Sequence, residues 1–97
     1  MVDFAMSVKP HPRIEVIGAV DADDVEDLRA AVASLLAHRH ERLTVDLSTV
    51  TEASPRLVAW LLDLAHVADW VVLRQPSEAV RRLLDVAGVA NLFVFEG

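Results

Sequence analysis

Val45-Asp46-Leu47-Ser48-Thr49-Val50-Thr51-Glu52-Ala53-Ser54-Pro55-Arg56-Leu57 reads as a buried strand, a polar loop and the capped start of a helix. Ser54 takes the N-cap position, and Pro55 follows in the first helical position, where a missing N–H costs nothing. Backbone N–H groups point outward at such a place and favour negative charge. A hydroxyl there suits a phosphorylation switch. It is also how many ordinary helices begin.

The pattern continues on both sides. Leu43, Val45 and Leu47 alternate as a half-buried strand. A helix is expected from Pro55 to about Val67, with Leu57, Leu61, Leu64 and Ala65 on one face and Val58 and Leu62 widening it. Trp60 falls off that stripe, so partial exposure is expected: an anchor for a partner, or a cap on the core edge. Trp70 to Leu73 is nearly all apolar, which suits a central strand covered by helices. Gln75-Pro76-Ser77 is a turn and a new N-cap, Val80, Leu83, Leu84 and Ala87 form the next buried stripe, and Gly88 stops it. Asn91 to Phe95 closes the chain as a strand.

Toward the N-terminus, Val2 to Val8 reads as a short strand, broken by Lys9-Pro10-His11-Pro12. Arg13 to Val20 alternates, with Ile14, Val16 and Gly18 facing one way; Gly18 marks a bulge or a close backbone contact. Asp21-Ala22-Asp23-Asp24 opens a helix, with Asp23 and Glu26 spaced as a capping box. Val25, Leu28, Val32, Leu35 and Leu36 form its stripe. It should end near His38, where Arg39 and His40 complement the negative end. The order β-β-α-β-α-β-α-β predicts a single α/β domain over residues 1–97, with a mixed, mostly parallel sheet and helices mainly on one face.

Composition narrows the function. Apolar residues make up 54% of 97 residues, which favours a globular fold. Asp63, His66 and Asp69 interrupt the longest apolar run, so no membrane insertion is expected. The start lacks a secretory pattern, and with no cysteine the chain suits a reducing cytoplasm. A net charge of −6 argues against nucleic acid and for a basic partner surface. His38-Arg39-His40 has poor metal-ligand spacing, so neither metal nor cofactor is expected. No nucleophile–base set or Gly-rich phosphate loop is readable, so the chain reads as a non-enzyme. Oligomeric state is left open.

Three fragments in order resemble the STAS family, shared by sulfate transporters and anti-sigma-factor antagonists. They are Ile17-Gly18-Ala19-Val20-Asp21, Arg42 to Val50 with its Asp46-Leu47-Ser48, and Pro76 to Val89 with its terminal Gly88. The family's further C-terminal helix has no counterpart after Phe95-Glu96-Gly97. The resemblance implies a non-catalytic regulatory module. In its antagonist branch, the unphosphorylated domain captures an anti-sigma factor that is also a serine kinase. The sigma factor is then released, and phosphorylation of a Ser or Thr at the start of the second helix breaks the complex.

The family motif there is Asp-Ser-Ser/Thr-Gly, and this chain offers Glu52-Ala53-Ser54-Pro55. One register places Ser54 on the acceptor. An ungapped register counted from Asp46 places Arg56 there instead and loses the chemistry. The short connection into Trp70 signals a gap nearby. The first register keeps a hydroxyl at the helix start and is preferred. On it, Ser54 is the candidate phosphoacceptor, followed by Thr51 and Thr49. Asp21, Asp23, Glu52, Pro55, Arg56 and Trp60 are the candidate partner contacts. Two other functions stay open: a cytoplasmic regulatory subunit of an ABC-type lipid transporter, and a sensor closing over a nucleotide or lipid head group near Asp21 and Ser54.

Overall fold

Alternation in the second strand does what its pattern asks: Ile14, Val16 and Val20 are buried while Ile17 faces out. The computed structural model describes residues 3–8 and 11–97, so Val2 and Lys9-Pro10 lie outside the described residues. In chain order it contains β1 (Asp3–Ser7), β2 (Arg13–Val20), α1 (Ala22–Ala31), α2 (Ala33–Leu36), β3 (His40–Ala53), α3 (Pro55–Val67), β4 (Ala68–Arg74), α4 (Glu78–Ala87) and β5 (Val94–Glu96), with a 3₁₀ turn at Ala90–Leu92. The strands lie side by side as β1-β2-β3-β4-β5. Only β1 runs antiparallel to its neighbour, so the sheet is mixed and mostly parallel as expected.

Ile14, Val16, Leu43, Val45, Leu47, Val71 and Leu73 form the sheet's side of the core. Val25, Leu28, Leu57, Leu61, Leu64, Val80 and Leu84 meet them from the helices. Burying each such side chain contributes about 1.5–3 kcal/mol, which is what holds the helices to this face. The opposite face carries a row of Glu15, Asp46, Arg74 and Glu96 in register. Asp46 is only 8% exposed. It accepts from Arg13 Nη2 at 3.0 Å, from Ser48 N at 3.0 Å and from Ser48 Oγ at 2.6 Å. Burial raises its carboxyl pKa, but the Ser48 bonds and the Arg13 and Arg74 charges outweigh that and leave it lowered.

Several boundaries differ from the sequence reading. The polar loop after Leu47 is strand. Thr49, Val50 and Ala53 pair with Ile17, Gly18 and Val20, so the backbone partner decides and the polar side chains go to solvent. Register shifts flank Ile17 and Gly18, and Gly18 sits at φ +96°, the irregularity its glycine foreshadowed. The first helix breaks at Val32 (φ −103°, ψ 9°) into α1 and α2. His40 Nε2 meets the Leu35 carbonyl at 2.8 Å, as its helix-end role required. Arg39 instead reaches the end of α3, donating to the His66 carbonyl at 3.1 Å and to Asp69. Ala87 is exposed, and Asn91-Leu92 belong to the 3₁₀ turn rather than a strand.

The two tryptophans exchange the places expected of them. Trp60 is 0% exposed. It lies three residues after Leu57 and four before Leu64, which puts it on the buried stripe. Its Nε1 has no hydrogen-bond partner among the described residues. Trp70 is 60% exposed, because helices cover only one face of β4. Trp60→Ala is expected to cost about 3–5 kcal/mol in urea unfolding through the cavity it leaves. Trp60→Phe, which keeps most of the ring and removes the unpaired N–H, is expected to cost less than half as much.

Candidate functional site

Parallel pairing of β2 with β3 brings their C-terminal ends level at Val20 and Ala53. Ser54 N–H then donates to the Val20 carbonyl at 3.0 Å, tying the second helix start to the end of the neighbouring strand. Asp21 and Ser54, the two N-cap residues, consequently flank one cleft of about 230 Å³. Its walls are Ala19, Val20, Asp21, Asp24, Glu52, Ala53 and Ser54. Three of these are carboxylates, so the cleft favours a cationic group and repels an anion.

Asp21 is the cap of α1, a correction to the Asp23–Glu26 pairing. Its side chain accepts from Asp23 N at 2.9 Å and Asp24 N at 3.0 Å. Asp24 Oδ2 accepts from Asp21 N at 3.1 Å, closing the box two residues earlier than the sequence suggested. The strand ends at Val20 and Val25 already lies in the core, which leaves only Asp21 free to sit outside the first turn. The Asp24 N–H bond holds the Asp21 carboxyl below its ordinary range, with the Asp23 N–H adding to it and partial desolvation opposing.

Ser54 occupies the N-cap position of α3 with extended backbone (φ −93°, ψ 160°) and Pro55 behind it. Its side chain makes no cap bond. The Oγ is covered and has no hydrogen-bond partner among the described residues, contrary to the expected outward hydroxyl. Leu57 N instead closes the first turn on the Ser54 carbonyl at 3.0 Å. The first turn of α3 carries no acidic side chain, so its positive end is not neutralised within the helix.

The other candidates spread outward. Glu52 lines the cleft, and Thr51 and Arg56 are exposed beside it. Thr49 Oγ1 donates to the Val16 carbonyl at 3.2 Å, on the strand rather than at the tip. Pro55 borders a separate apolar groove with Val58, Leu62, Leu83 and Val86. Asp23 is exposed in the first turn of α1, outside the cleft lining. Trp60 is inside the core and cannot touch a partner directly. Asp24 lines the cleft beside Asp21, and the acidic cluster Asp21-Ala22-Asp23-Asp24 is its signal in the sequence. Among the described residues no group of three or more His, Cys, Asp or Glu is placed to hold a metal, and no helix is long and apolar enough to cross a membrane.

The family model described as Mlab, STAS domain matches residues 5–94. The structure of the anti-sigma factor antagonist SpoIIAA in its unphosphorylated form superposes with a TM-score of 0.78 at 18% identity, covering 98% of this chain and 89% of that one. The Bacillus cell fate determinant SpoIIAA in its phosphorylated form gives 0.66 at 13% identity, covering 98% and 92%. At such identities the likeness is one of fold. No curated protein sequence matches the chain.

Asp21→Ala is expected to lower the melting temperature, and Asp21→Asn much less, since the amide still caps. Because the folded Asp21 pKa lies below its ordinary 3.8, its charge stabilises above that value and the benefit disappears as pH falls through the folded pKa. Thermal melts of wild type and Asp21→Asn should therefore converge in strong acid.

Proposed function

This chain belongs to the STAS domain family, and on that premise we propose that it is a non-catalytic module that captures a protein partner at the Asp21–Glu52–Ser54 edge. The observation that carries the reading is the cleft between two helix starts, acidic on its walls and exposed at its rim. A basic side chain of the partner fits those carboxylates, in keeping with a net charge of −6. The partner is an anti-sigma factor of the serine-kinase type, in the cytoplasm, and the output is regulation of transcription.

Ser54 is the phosphoacceptor in this proposal, with Thr51 and Thr49 as the alternatives. Its covered Oγ must first rotate outward, and no hydrogen bond among the described residues holds it in place. The phosphoryl group, about −1.5 to −2 in charge, is then kept out of the cleft by Asp21, Asp24 and Glu52. It stays at the rim, with the helix end and Arg56 beside it. Helix α3 therefore survives modification, and it is the partner that meets the new charge. The same carboxylates argue against a nucleotide or lipid phosphate seated in this cleft.

A second reading makes the chain the regulatory subunit of an ABC-type lipid transporter. It is favoured by the description of the matching family model, which is Mlab rather than an antagonist. Its docking edge is the same, and Ser54 need not be modified.

Pull-downs with wild type, Ser54→Ala and Ser54→Asp test both. The switch predicts that Ala keeps the partner and Asp loses at least about tenfold in affinity, the size of a rim charge facing a like charge. Equal recovery by all three discards the switch. Mass spectrometry of the captured protein then separates a kinase from an ATPase and permease.

A further inference from the structure

The uncovered face of the sheet carries a second surface, unrelated to the helix starts. Trp70 stands 60% exposed there and Val94 40%. Beside them is a recess of about 340 Å³ lined by His11, Glu41, Arg42, Trp70, Val72 and Val94, with Val72 buried at its floor. An exposed indole thus forms one wall of a hollow large enough to admit a second indole. Arg42 pairs in register with Trp70 at the start of β3, and its Nη2 lies 3.9 Å from Glu96, a loose contact with both side chains about half exposed.

We propose that this patch is where a second copy of the chain docks. A two-fold axis sets each surface against itself, so an isologous contact needs a knob and a hole on the same patch and charges of both signs. This patch has both: Trp70 on the wall of its recess, and Arg42 beside Glu41 and Glu96. The chain as a whole carries −6 and invites a basic partner, whereas this patch, which holds both signs, can also match its own copy. In the pair, each Trp70 fills the other's recess, and each Arg42 exchanges its loose Glu96 contact for a carboxylate across the axis. An apolar centre of Trp and Val inside a rim of Arg and Glu is how such contacts are built.

The patch lies at the start of β3 and β4, and Ser54 follows the far end of β3. Docking therefore leaves both Asp21–Ser54 edges free, and the pair presents two identical clefts.

Sedimentation velocity from low micromolar to near-millimolar protein tests this, with tryptophan fluorescence alongside. The mass should rise to twice that of the chain, and emission should shift to the blue as Trp70 leaves water; Trp60 is already buried and contributes no shift. Trp70→Glu should weaken association at least about 30-fold, as loss of a central aromatic does, with the melting temperature of the dilute monomer unchanged. Trp70→Phe should weaken it less. Met6→Lys, on the exposed edge strand β1, should leave it intact. The proposal is overturned by a wild type that stays monomeric throughout, by a dimer that survives Trp70→Glu, or by a dimer lost in Met6→Lys, which would mean pairing through the strand edge.

Discussion

The in-register parallel pairing of β2 with β3 is the constraint on which the rest depends. It ends both strands at one level, Val20 beside Ala53, and the Ser54 N–H to Val20 carbonyl bond seals the junction. Right-handed crossovers then put both following helices on the same side. Two helix starts stand together as a result, each with its unpaired N–H groups and positive end. The chain neutralises one of them with Asp21 and leaves the other open at Pro55. A sheet with these strands antiparallel would send the two helix starts to opposite ends, and no shared cleft would exist.

Much of the architecture is legible in the sequence because it rests on periodicity. Strand and helix order, the end of α3 at Val67, the Ser77 cap and the left-handed Gly88 all follow from local pattern and cap chemistry. Features that depend on a distant partner are not legible. Ser48 to Ala53 is polar enough for a loop, yet β2 offers it a ladder. Trp70 to Leu73 looks covered on both faces, yet all the helices that reach the core take one side.

The candidate site is legible in outline and not in detail. Asp21, Glu52 and Ser54 do converge, because strand ends and helix starts are marked by their own residues. The covering of the Ser54 hydroxyl has no local signature, since it depends on neighbours that the tertiary fold brings together. Trp60 joins the buried stripe through its i+3 step from Leu57, which the Leu57–Leu61 spacing alone does not show. In the acidic turn, Asp21-x-x-Asp24 and Asp23-x-x-Glu26 offer two overlapping boxes, and only the end of β2 chooses between them.

Helix α3 ends at Val67 and β4 begins at Ala68, with no residue between them, and Arg39 clamps that corner through the His66 carbonyl and Asp69. A rod joined to its anchor without slack cannot absorb a push by flexing at the joint. The Pro55 tip is therefore held from both ends of α3, by the Ser54–Val20 bond at its start and by this corner at its close. Lengthening the corner by a few glycines would release the far end alone.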